Sequence, residues 1–186
     1  DQRFERRAQL VAFGLTYFSD RPYEDVSIDE LAKAAGISKG LLYHYFPTKR
    51  AFYAATVEAA AAQLLDAILL QEGGASRDRV ERGLRAYFDF VETHKSAFTS
   101  LFRAGTLVPE VNERVEATRE AFVDRILEQI PLTRTPMLRA ALRGWIGSVE
   151  AMSLEFAKHG DFDREAATEL LVEQLFSTLS HVLQLP

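Results

Sequence analysis

A chain of 186 residues is long enough for one sizeable domain or for a small and a medium one, and its 47% apolar and 26% charged residues suit a packed core under a solvated surface. It holds no cysteine, which excludes disulfides and thiolate metal sites and points to a reducing compartment, the cytoplasm. The net charge of −5 is uneven: residues 1–50 carry eight Lys/Arg against seven acids, and residues 31–57 hold Lys33, Lys39, Lys49 and Arg50 with no acid. Such a stretch can face phosphates without self-repulsion while the acidic remainder is held away.

No apolar run approaches the roughly 18–20 residues that span a bilayer, so no membrane partner is expected. The start, Asp1-Gln2-Arg3-Phe4-Glu5-Arg6-Arg7, has neither the apolar stretch of a signal peptide nor an initiator Met, and the expectation is a natural chain that begins further upstream and is not exported.

The 3.6-residue period runs through nearly every segment and strict alternation through none, so the expectation is an all-α protein of nine helices. The first runs from about Arg3 to Phe18, with Phe4, Ala8, Val11, Leu15 and Phe18 on one face, and Arg21-Pro22 closes it. Ser27-Ile28-Asp29-Glu30 reads as a capping box that starts the second. Ala35-Gly36 ends that helix after barely two turns, because glycine tolerates the left-handed φ of a tight turn. A short third helix begins near Ser38 and stops before Pro47, and Thr48 caps a long fourth helix from Lys49 to about Leu70.

Gly73-Gly74-Ala75-Ser76 is the best loop in the chain. Val80, Leu84, Tyr87 and Val91 mark a fifth helix, Ala97 to Arg103 a short sixth, and Val111, Val115, Phe122, Ile126 and Ile130 a seventh. Pro136 opens an eighth that lasts to His159-Gly160, and Asp163 caps a ninth ending near Leu183.

The second helix, its turn and the third helix have the spacing of a helix-turn-helix. Ile28, Ala32, Gly36 and Leu42 fall at positions one, five, nine and fifteen: a small residue at the crossing, a glycine at the turn, and two fillers of the core between. The run Asp29-Glu30-Leu31-Ala32-Lys33-Ala34-Ala35-Gly36-Ile37-Ser38-Lys39-Gly40-Leu41-Leu42-Tyr43-His44-Tyr45-Phe46, followed by Thr48-Lys49, resembles the DNA-binding region of the TetR family of bacterial regulators, over roughly residues 5–55. The resemblance implies a nine-helix fold, a dimer made by the last two helices, and in most cases repression relieved by a small molecule. Residues 1–48 would then be the DNA-binding domain and 49–186 the ligand-binding and dimerisation domain.

If the third helix enters the major groove, Ser38, Lys39 and Gly40 at its start suit a phosphate, with Gly40 permitting close approach. Tyr43 and His44 lie further along, able to reach phosphate or a base edge, and Thr48 and Lys49 add contacts from the fourth helix. By the resemblance, Tyr43, His44 and Lys49 match positions that usually touch DNA, with Tyr45 as a further candidate. Phe46 is expected in the core, Tyr43 on the DNA side, and Tyr45 fits either place. The DNA partner is expected to be a double-stranded palindromic operator.

The eighth helix repeats Leu138, Leu142, Trp145, Val149, Met152 and Phe156, beside a small-residue stripe of Gly144, Ser148 and Ala151 with Gly147 adjacent. With Val172, Leu175, Leu179 and Val182 on the ninth, this predicts a four-helix homodimer interface. Bulky residues on the later helices, namely Phe88, Phe98, Phe102, Phe122, Ile126, Trp145, Val149 and Met152, are candidates for an effector pocket. Its ligand would be apolar, neutral or weakly cationic. Glu150 and Glu155 stand either as its polar contacts or as solvated acids, and tilting of the fourth helix would couple the pocket to DNA.

No cofactor, metal site or catalytic residue is expected. The four histidines, His44, His94, His159 and His181, have no metal-ligand spacing, and neither a phosphate-binding loop nor a nucleophile elbow is present. Two rivals remain: an enzyme, which would turn over substrate without the helix-turn-helix, and an architectural DNA-binding protein whose affinity no metabolite changes.

Overall fold

The computed structural model describes residues 2–19, 21–69, 76–96, 98–99, 109–130 and 133–184, the side chains of 2, 64–69 and 110 excepted. Among these residues the fold is all-helical: α1 (Gln2–Ser19), a 3-10 turn (Tyr23–Asp25), α2 (Ile28–Ala34), α3 (Lys39–Tyr45), α4 (Lys49–Leu69), α5 (Arg77–Thr93), α6 (Pro109–Gln129), α7 (Pro136–His159) and α8 (Arg164–Val182). The seventh, eighth and ninth helices of the sequence reading are therefore α6, α7 and α8. Of the expected sixth helix only residues 98–99 are described, and both are helical; the rest of it, the Gly73-Gly74 loop and Phe102 lie outside the described residues.

The caps explain the boundaries. Thr135 Oγ1 accepts the Leu138 N–H at 3.1 Å with Pro136 at the first helical position, so α7 starts there; Gly160, at φ 68°, ends it. Asp163 accepts the Glu165 N–H at 2.9 Å and starts α8.

Two compact units emerge. The first comprises residues 1–63 and 93–116, so the start of α4 packs with the N-terminal helices. Its core gathers Leu10, Val11 and Phe18 of α1, Leu31 and Ala32 of α2, Leu42 of α3, Phe46, and Phe52 and Tyr53 of α4. The buried stripe of α1 is not the one its sequence suggested: Phe4 is 73% exposed and Ala8 is exposed, because residues 3–9 all stand beyond the packed part of the helix. Gly14 lies on the true stripe. A Cβ there would sit 2.6 Å from Thr56 Oγ1 and 2.8 Å from Phe52 Cζ, so the glycine is what lets α1 approach α4.

The second unit comprises residues 64–92 and 117–186. Val123 and Leu127 of α6, Leu138, Leu142 and Ile146 of α7 and Leu175 of α8 form a core cluster, against which Phe122, Ile126 and Trp145 pack half-buried. Phe88 of α5 meets Phe156 of α7 edge-on at 5.7 Å. Exposed ion pairs join α5 to α8, Arg85 with Glu165 at 2.9 Å and Arg164 with Asp89 at 2.5 Å, each worth little by itself.

Candidate nucleic-acid interface

Helix α2 begins on a complete capping box: Ser27 Oγ accepts the Glu30 N–H at 3.2 Å and Glu30 Oε2 accepts the Ser27 N–H at 2.9 Å. Those bonds hold the Glu30 carboxyl below the usual carboxylate range. The helix ends in a Schellman turn, with the Ile37 N–H on Ala32 O at 3.0 Å, the Gly36 N–H on Lys33 O at 3.1 Å, and Gly36 at φ 67°. No atom lies within 4 Å of a Cβ placed on Gly36, so backbone conformation alone calls for glycine there.

Ser38 then caps α3 by accepting the Leu41 N–H at 3.1 Å, and Thr48 caps α4 by accepting the Ala51 N–H at 3.0 Å. Leu42 and Phe46 are buried, and Ala32 is buried at the crossing. Fixing Leu42 within α3 and Phe46 at its C-cap inward decides which face turns outward. Ser38, Lys39, Gly40, Tyr43 and His44 are exposed, with Tyr43 at 40%, while Tyr45 is half-buried against the core and packs edge-on to His44 at 5.3 Å. Thr48 is exposed and Lys49 half-buried.

Other features were not visible as a pattern. Leu41 is 39% exposed on α3; its neighbour Leu42 is the core residue, and a 100° step along the helix turns Leu41 away from it. Although residues 31–57 are free of acids, the fold returns one: Lys39 Nζ meets Asp29 Oδ2 at 2.9 Å, a bond that raises the lysine above its ordinary pKa. Among the described residues no atom lies within 4 Å of a Cβ position on Gly40, so none of them calls for a glycine there.

The effector candidates fall less tightly together. Phe88 and Val149 are buried in the second unit, and Phe122, Ile126 and Trp145 share one cluster with the Trp145 N–H donated to Leu171 O at 2.8 Å; Met152 is half-buried. Phe98 belongs to the first unit. Glu150 is not free for a ligand: Arg119 Nε reaches its two oxygens at 2.8 and 3.0 Å, with the side chains only 15% and 17% exposed. Burial pushes the nearby Tyr87 phenol far up. Glu155, beside Lys158 and His159, is on the surface. On α7, Leu138, Leu142, Val149 and Phe156 are core of the unit, whereas Met137, Ala140, Gly144 and Ala151 form the exposed face.

A capped two-helix unit with a glycine turn, buried fillers and an exposed polar and aromatic face on its second helix defines a helix-turn-helix DNA-binding protein. Residues 10–56 match the model described as bacterial regulatory proteins, tetR family, and residues 76–178 match the tetracyclin repressor-like C-terminal domain. The chain belongs to the TetR family and is a DNA-binding transcription regulator. It is 29% identical to the HTH-type transcriptional activator FasR of Mycolicibacterium smegmatis, over 97% of this chain and 85% of that one. It is 33% identical to the regulator EthR of Mycobacterium tuberculosis over 50% of this chain and 44% of EthR. The crystal structure of a tetR-family transcriptional regulator from Streptomyces coelicolor superposes with a TM-score of 0.84 at 35% identity, covering 95% of this chain and 81% of that one. The family and these relatives are transcription regulators rather than enzymes. Among the described residues, no helix is long and apolar enough to cross a membrane.

Proposed function

We propose that the chain is a cytoplasmic homodimer that places α3 of each subunit in successive major grooves of a palindromic operator and represses until a small, mainly apolar effector releases it. The observation that carries the DNA reading is the division of α3: Leu42 is buried, while Lys39, Gly40, Tyr43 and His44 face outward. Residues 1–48 supply base and phosphate contacts from Ser38, Lys39, Gly40, Tyr43, His44, Tyr45 and Thr48, and Lys49 at the start of α4 adds one more. Residues 49–186 supply dimerisation and sensing.

The homodimer reading is supported by the exposed faces of α7 and α8. Met137 is 55% and Leu170 59% exposed, Gly144 is open, and Gly144 and Gly147 have no atom near a Cβ position. Glycines cost a helix about 1 kcal/mol each, and no close packing among the described residues offsets that here. The effector reading is supported by the polar group of buried Tyr87 and Ser153 with the partly buried Arg119–Glu150 pair in the second unit. With Glu150 already held by Arg119, a neutral ligand that hydrogen-bonds this group fits better than a cation.

A second reading, activation, is favoured by FasR, a transcriptional activator that aligns with almost the whole chain. Transcription in vitro from a template bearing a selected operator separates the two: repression lowers the transcript as protein is added, and activation raises it. Loss of DNA binding on adding a metabolite fraction, recovered on dialysis, supports an effector; indifference to every fraction favours an architectural protein.

A further inference from the structure

The two lysines assigned to DNA are held in different ways. Lys39 is paired with Asp29 at 2.9 Å. Lys49, the first residue of α4, instead places its ammonium 4.1 Å from the centre of the Tyr23 ring, and among the described residues no carboxylate lies within ion-pair distance of it. Tyr23 sits on the 3-10 turn that Asp25 closes by donating its N–H to Pro22 O at 3.2 Å. Its ring rests against Tyr53 at 4.7 Å, and Tyr53, fully buried, stands edge-on to Phe18 at 5.0 Å. An aromatic column thus runs from the core of the first unit to the ammonium.

A free lysine side chain samples many rotamers and loses them when it grips a phosphate. A ring face attracts a cation through its quadrupole without neutralising it, so the ammonium is placed and keeps its charge. Glu24, Asp25 and Glu30 face the same ammonium and raise its pKa, while partial burial lowers it more. These acids would draw a loose lysine aside; the ring fixes it instead.

We propose that Tyr23 is a positioning residue for DNA binding: seated on buried Tyr53, its ring holds the Lys49 ammonium, free of a carboxylate partner, where it meets a backbone phosphate. The inference rests on the reading of Lys49 as a phosphate contact.

A duplex selected by the full chain from a randomised library is titrated over a series of KCl concentrations with wild type, Lys49→Ala, Tyr23→Leu, Tyr23→Phe and Lys49→Ala/Tyr23→Leu. Lys49→Ala weakens binding and lowers the salt slope by about 0.9 for each bound subunit, so by about 1.8 for a dimer that loses two phosphate contacts. Tyr23→Leu weakens binding about two- to five-fold for each bound subunit, the size of an exposed cation–π contact, and Tyr23→Phe recovers most of that. In the Lys49→Ala background Tyr23→Leu adds nothing, whereas a merely structural role would cost the same in both backgrounds.

An unchanged salt slope in Lys49→Ala overturns the phosphate reading and this inference with it. A normal Lys49→Ala effect with equal Tyr23→Leu losses in both backgrounds overturns the inference alone. Should Tyr23→Leu fail to fold, NMR of the free wild-type chain decides: ring-current-shifted Lys49 ε-methylene protons support the contact, and random-coil positions overturn it.

Discussion

Gly36 and Gly40 are four residues apart, and replacing each by alanine should separate what the fold needs from what DNA needs. Gly36 holds φ at 67° with nothing near its Cβ position, so the cost of Gly36→Ala is that of forcing an L side chain into the left-handed region, about 1–2 kcal/mol. In a chain of this size that lowers the melting temperature by roughly 2–8 °C. Gly40 is helical, has no atom within 4 Å of its Cβ position, and lies in the first turn of α3. Alanine there is free of clashes and gains up to about 1 kcal/mol of helix propensity, so the free protein should melt at the same temperature or higher. Against DNA the added methyl stands where a close approach is expected, and the loss of one or two contacts, about 1–3 kcal/mol, weakens binding roughly 5- to 150-fold. Calorimetry and fluorescence anisotropy on a selected duplex measure the two quantities. Wild-type affinity in Gly40→Ala would place that residue off the interface, and wild-type stability in Gly36→Ala would refute the backbone argument for the turn.

Packing elsewhere yields further tests. Gly14→Ala overpacks the α1–α4 crossing and should cost about 1–3 kcal/mol, less up to about 1 kcal/mol of propensity; adding Thr56→Ala should recover part of it, measured by urea unfolding. Arg119→Ala strands the Glu150 carboxylate and should cost about 2 kcal/mol, below the roughly 3–5 kcal/mol of a fully buried pair, while Arg119→Met with Glu150→Leu should lose less. Gly144→Trp and Leu170→Asp should give folded monomers in sedimentation, whereas Val149→Asp, buried within the unit, should unfold it; dimeric Gly144→Trp and Leu170→Asp would remove α7 and α8 from the interface.

Local chemistry made the helix-turn-helix legible before any coordinates. Ser27 with Glu30, Gly36, Ser38 and Thr48 each announce a boundary by a backbone bond to a near neighbour, and each bond is present. Pro136 marked the start of α7 by its fixed φ at the first helical position, and Asp163 capped α8. What failed needs contacts between distant residues. Periodicity grouped Phe4 with Val11 and Phe18, but cannot tell where a core ends along a helix, and Phe4 lies past that end. It likewise found apolar residues on α7 without saying that Leu138, Leu142 and Val149 serve the unit's own core. The Asp29 partner of Lys39, the Tyr23 partner of Lys49 and the Arg119 partner of Glu150 lie 10, 26 and 31 residues away in sequence and follow no spacing rule.

The central claim is that α3 reads DNA as one half of a two-fold pair, and selection from a randomised duplex library with the full chain tests it most directly. The wild type should enrich an inverted repeat with half-sites about 34–36 Å apart, or a multiple of that. A Tyr43→Ala/His44→Ala variant should relax the preference within each half-site and keep the spacing. Enrichment of a single asymmetric site, or identical preferences from wild type and variant, would contradict the account.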